Sequence, residues 1–206
     1  VNSRTATLKR IAGSIVGALK GALPDKIPAD SAGELLVLSL GGKNLSGKPY
    51  VVGEFNAGGS GGGPRKDGVD VIETDGSNCM NMPVEALELE APARVHRMSL
   101  RRDSGDTGEF RGGLGCVREI EFLADNIALT HRGERHRHAA RGSQGGGDGA
   151  KAFSKIIRRD GSEEVVHSKL FTVVHSGERL IVETAGGGGY GDPNGRDRQS
   201  VQEDVR

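Results

Sequence analysis

Tryptophan is absent from this sequence, aromatic residues make up only 3% of it, and cysteine occurs twice, at Cys79 and Cys116. Two isolated thiols without CxxC spacing exclude a zinc ribbon and a disulfide framework. They fit a reducing compartment, so a cytoplasmic location is expected. No apolar run approaches the roughly 18 residues that span a bilayer, and no signal-peptide pattern is visible, so no membrane contact is expected. Charge of one sign is also missing. Lys+Arg and Asp+Glu are both 28, and the pI is about 7.2. Nucleic-acid binding normally shows a basic field, and here the basic stretch 131–141 is balanced by the rest of the chain. Neutrality gives little colloidal protection, which suits a chain held in a complex.

Glycine is what the sequence has in excess: 34 of 206 residues, about twice the usual share. It clusters at 58–63, 142–149 and 186–191, between apolar runs. No Gly-x-y period exists, which excludes collagen. Glycine alone reaches positive φ without steric cost, so these clusters are expected to be tight turns and exposed loops.

Residues 3–23 place Leu8, Ile11, Ile15, Leu19 and Leu23 three or four apart, the spacing of one helix face, and Pro24 ends the run. Gly13, Gly17 and Gly21 form a stripe four apart, read as a thin helix face. Val1 stands where an initiator methionine would, and a helix starts almost at once, so the chain is expected to open in mid-element as a piece of something longer. Short strands are expected at 35–40, 50–56, 84–90, 93–101, 117–123, 127–131, 154–158, 170–174 and 179–183, with His96, His167 and His175 as sheet residues. Many short strands joined by glycine turns predict a mainly β fold, an antiparallel β-sandwich or jelly roll with an N-terminal amphipathic helix. The expected division is 1–33 as helix and connecting turn, the tail of an upstream domain, 34–193 as the β domain, and 194–206 as a polar tail. That tail either forms a short helix from Asp197 or stays loose.

Two nucleotide-type patterns arise from glycine content alone. Residues 42–49 nearly match a P-loop, but Pro49 stands where the magnesium-binding hydroxyl belongs, and a hairpin turn is expected instead. Residues 186–191 satisfy GxGxxG, yet Pro193 follows at once and leaves no room for the required helix. His131, His136 and His138 gather with Glu134, but Arg132, Arg135, Arg137 and Arg141 would repel a cation, so a solvated basic loop, or one facing an anion, is expected and no metal site. No GxSxG elbow or Cys–His pair marks a nucleophile, and Cys79 reads as a buried or half-buried bystander. What remains is the polar stretch 67–85. Asp67, Asn78 and Asn81 are candidate substrate-binding groups at a site mouth, against the alternative that they only make turns.

Taken in order, these stretches resemble one family. Residues 58–62 with Asp67-Gly68 are similar to its GGxGA…DG element, and residues 78–88 to NxxNxPxExxE. Residues 102–115 resemble DSGGxGxxRGGxG, and residues 183–193 resemble ETPGGGGYGDP, both signatures of the hydantoinase B/oxoprolinase family. Asp106 departs from the usual second glycine, and 139–147 match the family's remaining glycine loop only loosely. The resemblance implies the C-terminal portion of a B component of an ATP-dependent cyclic-amide hydrolase, inactive alone. It implies an A-type partner that handles ATP, a hetero-oligomer, and a small cyclic-amide substrate. No cofactor is expected on this segment; ATP and a divalent metal are expected in the partner or in the part of the family's length not matched. An acetone- or acetophenone-type carboxylase subunit is the alternative, and a non-catalytic assembly module is a third reading.

Within the matching motifs, Arg111 and Glu85 are the candidate catalytic residues. A guanidinium forks onto carboxylate or phosphate, although Arg111 could equally make a structural salt bridge to Asp103 or Glu109. Glu85 could act as a base or only orient a loop at a strand start.

Overall fold

A computed structural model describes residues 4–33, 35–44, 46–77 and 79–205. A helix, α1 (Arg4–Leu19), leads into two antiparallel sheets. The first sheet runs in the order β2 (Pro49–Ala57), β1 (Leu35–Lys43), β5 (Ile127–Arg132), β8 (Lys169–Val174). The second runs β3 (Ala93–Leu100), β4 (Cys116–Phe122), β9 (Arg179–Glu183), β6 (Phe153–Ile157), β7 (Glu163–Val165). The expected sandwich is therefore present. Its apolar core sets Leu36, Leu38, Leu40, Ile127 and Leu129 against Ile120, Phe122, Ile156, Leu180 and Val182.

Register explains the alternation. Leu38 pairs with Glu54 on one side and His131 on the other, so all three side chains project from the same face of the first sheet. Opposite them, Arg118 pairs with Val182, and Val182 with Ser154. Two polar bridges therefore cross the interior: Arg118 Nη2 to Glu54 Oε2 at 3.0 Å, and His131 Nε2 with Ser154 Oγ at 3.0 Å. His131 is wholly buried in β5, and its ring meets that of His136 edge-on at 5.4 Å. That corrects the expectation of a solvated basic loop, because strand pairing turns His131 inward whatever its neighbours' charge.

Further corrections follow. Residues 84–90 form a helix, α2 (Val84–Glu90), and not a strand, with Glu85 in its first turn. The run alternates, but Leu87 is buried while Leu89 is 86% exposed, so period two is not obeyed. Alanine, leucine and glutamate favour helix, and Pro83 stands at its N-cap. His167 lies in the link after β7, and His175 just past β8, so of these three expected sheet residues His96 alone lies in a strand. The short β7 was not expected; its three residues are all exposed, and only the neighbouring β6 defines it. Cys79 is exposed, and Cys116 is buried.

The helix α1 is amphipathic in sequence, yet its apolar stripe faces outward. Leu8, Ile11, Ile15, Leu19 and Leu23 are 39–58% exposed. On the opposite side Lys9 is fully buried, 3.2 Å from Glu73, and donates to the Thr74 carbonyl. Polar struts thus hold the helix. Residues 42–49 are the β1–β2 hairpin, as expected, with the Asn44 side chain accepting from the Ser46 and Lys48 amides. At the other end, Asp197 caps α3 (Arg198–Asp204) by accepting from the Ser200 amide at 3.1 Å.

The glycine clusters differ most from expectation. Residues 58–63 and 185–191 are largely buried, and they pack with 104–115 and 140–150 in a hub of extended backbone at one end of the sandwich. Gly59 donates to Ala185, Gly113 to Ser60, Gly187 to Gly113, Gly62 to Gly188, and Gly189 to Gly147, at 2.8–3.0 Å. Of the glycines in 58–63 and 186–191 only Gly191 has positive φ. A β-carbon on Gly59, Gly186, Gly187 or Gly189 would stand 1.8–1.9 Å from a neighbouring carbonyl oxygen. Glycine is required here for close backbone approach, not for turning.

Candidate functional site

The hub borders a cleft. It has a volume of about 530 Å³ and lies between α1 and the hub, bordered by Arg10, Asp30, Ser31, Ser60, Asp67, Asp75 and Arg135. Gly13 lines it, so the thin helix face leaves space instead of admitting a neighbour. A smaller basin of about 290 Å³ adjoins it, sharing Lys66 and Asp67, and continues to Glu109, Phe110 and Arg196.

Three side chains converge on one wall. Ser31 Oγ donates to Asp75 Oδ2 at 3.0 Å, and Thr74 Oγ1 lies 3.0 Å from Ser31 Oγ and 3.1 Å from the same carboxylate oxygen. Arg135 fixes this wall from behind, donating to the Ser31, Ala32 and Ala139 carbonyls at 2.8–3.0 Å. Asp30 is held by Lys20 at 2.6 Å, while its backbone carbonyl accepts from Gly188. The segment carries strain: Val71 has φ 43° and Asp75 φ 65°. Positive φ is costly for a β-branched residue and gathers at functional sites.

Asp67 forms the floor where the basins meet. The Arg111 amide donates to its Oδ1 at 2.9 Å, and the Arg111 Nε stands 3.9 Å from its Oδ2. Burial works to raise its pKa, but the bonds from Arg196 and Arg111 outweigh that and hold it below the usual carboxylate range. It is thus an acceptor and a poor base. Arg111 pairs with Asp70 at 3.0 Å and Asp204 at 3.1 Å, besides Asp67, so its salt-bridge partners are these three and not Asp103 or Glu109. Hydrogen bonding to Glu73 pushes the Cys79 thiol up, away from the reactive thiolate.

Of the sequence candidates, then, the fold brings Asp67 and Arg111 together. Glu85 is exposed on α2, Asn81 is half-buried, and neither borders either basin. Asn78 lies outside the described residues. The Ser31–Thr74–Asp75 convergence carries no signal in the sequence, because the Ser31 hydroxyl and the Asp75 carboxylate come from segments 44 residues apart. Among the described residues, no group of three or more His, Cys, Asp or Glu side chains is placed to hold a metal ion. No helix among them is long and apolar enough to cross a membrane.

A two-sheet antiparallel sandwich closed at one end by a glycine hub, with a cleft between hub and helix, defines the class. The family model described as hydantoinase B/oxoprolinase matches residues 1–193, and the chain belongs to that family. The 5-oxoprolinase of Dictyostelium discoideum is 34% identical over 138 residues, 67% of this chain and 11% of that protein. The crystal structure of ATP-dependent caprolactamase from Pseudomonas jessenii superposes with a TM-score of 0.80 at 29% identity, covering 92% of this chain and 34% of that one. Acetone carboxylase in its nucleotide-free structure shares the fold, with a TM-score of 0.71 at 19% identity, over 90% of this chain and 29% of that one. The chain spans about a third of the length of the hydantoinase-type and caprolactamase subunits it matches.

Proposed function

We propose that this chain is the C-terminal part of the B component of an ATP-dependent cyclic-amide hydrolase, working with an A component that handles ATP. The observation that carries the reading is the family match along residues 1–193, joined by likeness to proteins named for two cyclic amides, 5-oxoproline and caprolactam. The cleft suits such a substrate, because its lining is mostly apolar with a few polar groups, and a lactam presents an N–H and a C=O on one edge of an apolar ring. Asp75, with Ser31 and Thr74, offers an acceptor beside hydroxyl groups, and Lys66 brings a cation to the mouth. Arg111 is then a positioning residue that sets Asp67 and Asp70, and Glu85 stands exposed on α2, away from both basins. In this reading ATP and a divalent metal are handled by the partner or by the part of the family's length that this chain does not match.

The test is reconstitution of a full-length B component containing this sequence with its A partner. ATP-coupled opening of a lactam, hydantoin or 5-oxoproline ring is expected. Ring opening that proceeds without ATP would overturn the reading. So would bicarbonate-dependent ATP hydrolysis with ketones and none with cyclic amides, which would indicate the carboxylase instead.

A further inference from the structure

Arg196 meets Asp67 fork to fork across 129 residues of sequence, with Nη1 on Oδ1 and Nη2 on Oδ2, each at 2.8 Å. Nη1 also reaches the Glu109 carbonyl at 3.0 Å, and Nε donates to Asp204 Oδ2 at 2.8 Å. The Arg196 side chain is only 8% exposed, although every residue of the helix that follows is unburied. Asp67, Glu109 and Phe110 belong to the stretch matched by the family model, whereas Arg196 and α3 lie beyond it. The body supplies a receptor, and the tail supplies the guest.

We propose that Asp67, with the Glu109 carbonyl, is a guanidinium-binding socket, and that this protein fills it with its own Arg196 to hold residues 194–205 as a displaceable strap along the smaller basin. A seven-residue helix is too short to persist alone in water. With no buried apolar residue, α3 depends on its polar ties, which are the Arg196 fork and the pairing of Asp204 with Arg111 at 3.1 Å. Carboxylate and carbonyl oxygens set for two parallel N–H donors and a third select a planar guanidinium over an ammonium, which is a point donor. The ligand class is therefore an arginine side chain or other guanidinium. Because the basin shares Lys66 and Asp67 with the larger cleft, lifting the strap would open that cleft at its floor. The inference stands independently of the proposed activity.

Hydrogen–deuterium exchange on the intact protein tests it. Arg196→Ala and Arg196→Lys should each speed exchange across 198–204 by about tenfold or more, the factor expected from one lost charge-assisted bond. Protection at Gly187 and Gly189 in the hub should be unchanged, showing that the fold survives. Methylguanidinium should then give saturable NMR shifts at Gly68 and Phe110 in Arg196→Ala, and none in wild type, with methylammonium giving much weaker ones. The proposal is overturned if Arg196→Ala leaves 198–204 as protected as wild type, if Arg196→Lys retains full protection, or if methylguanidinium leaves the Arg196→Ala amides unmoved.

Discussion

The carbonyl oxygen of Ser60 stands 1.9 Å from the point that a β-carbon on Gly187 would occupy. Both atoms belong to backbone already tied on either side, since Gly113 donates to Ser60 and Gly187 to Gly113. Neither segment can retreat without breaking these bonds. Gly187→Ala should cost more than about 3 kcal/mol, at or beyond the upper range of ordinary overpacking, and should yield little folded protein. Gly17→Ala is the control, because nothing lies within 4 Å of its β-carbon position. It should raise stability by about 0.5–1 kcal/mol through helix propensity. Urea unfolding of both variants checks the contrast.

The Arg118–Glu54 pair is buried on both sides, with side chains 0% and 2% exposed. Removing one partner strands the other. Arg118→Met alone should therefore cost about 3–5 kcal/mol, whereas Arg118→Met with Glu54→Gln should recover much of it. Chemical denaturation of the three proteins at one pH measures the difference. Equal losses in the single and double variants would contradict it.

Glu54 and His131 give the pH dependence, and they act in opposite directions. Burial raises the Glu54 pKa to about 7, against the lowering effect of Arg118. The unfolded chain ionises this carboxyl near pH 4.5, so its contribution favours folding at low pH and is lost as pH rises from 4.5 through 7. Burial, aided by His136 and Lys169, lowers the His131 pKa to about 4. The unfolded chain takes up that proton near 6.5, so stability is lost as pH falls from 6.5 through 4. In wild type the two slopes oppose each other between 4.5 and 6.5. In Glu54→Gln stability should fall more steeply on acidification, and in His131→Gln it should rise. Unfolding free energies at half-unit pH steps test the signs.

Within the candidate site, Asp75→Asn is the informative change, since asparagine tolerates the φ of 65°. It removes the charge that accepts from Ser31 and Thr74. In the reconstituted enzyme KM for the cyclic amide should rise about tenfold, matching one weakened charged hydrogen bond, with assembly intact. Glu85→Gln, on an exposed helix outside both basins, should leave kcat and KM within about twofold of wild type. A loss of turnover in Glu85→Gln with normal assembly would return Glu85 to the catalytic list.

Much of the sandwich was legible in the chain. The alternation Val117-Arg118-Glu119-Ile120-Glu121-Phe122 marks β4, and the hairpin at 42–49 follows from Asn44, Gly47 and Pro49 between β-prone runs. Within the site, Asp67 and Arg111 stood out as motif residues, but their contact did not, because 44 residues separate them. The run at 84–90 misled because Val-Glu-Ala-Leu alternates like a strand while its residue types favour a helix.

Composition by itself determined that this chain must use glycine structurally, that its core is aliphatic, and that its strands are short. Local pattern determined most strand positions, since side-chain period follows from backbone geometry alone. Only the tertiary structure decided what the glycines are for. A glycine that permits a turn and one that permits a neighbour's carbonyl to come close are identical in sequence, and the difference lies in what packs against it. The same holds for α1, whose apolar stripe faces outward while Lys9 on the other side pairs with Glu73, and for Arg196, whose partner Asp67 is 129 residues away in sequence.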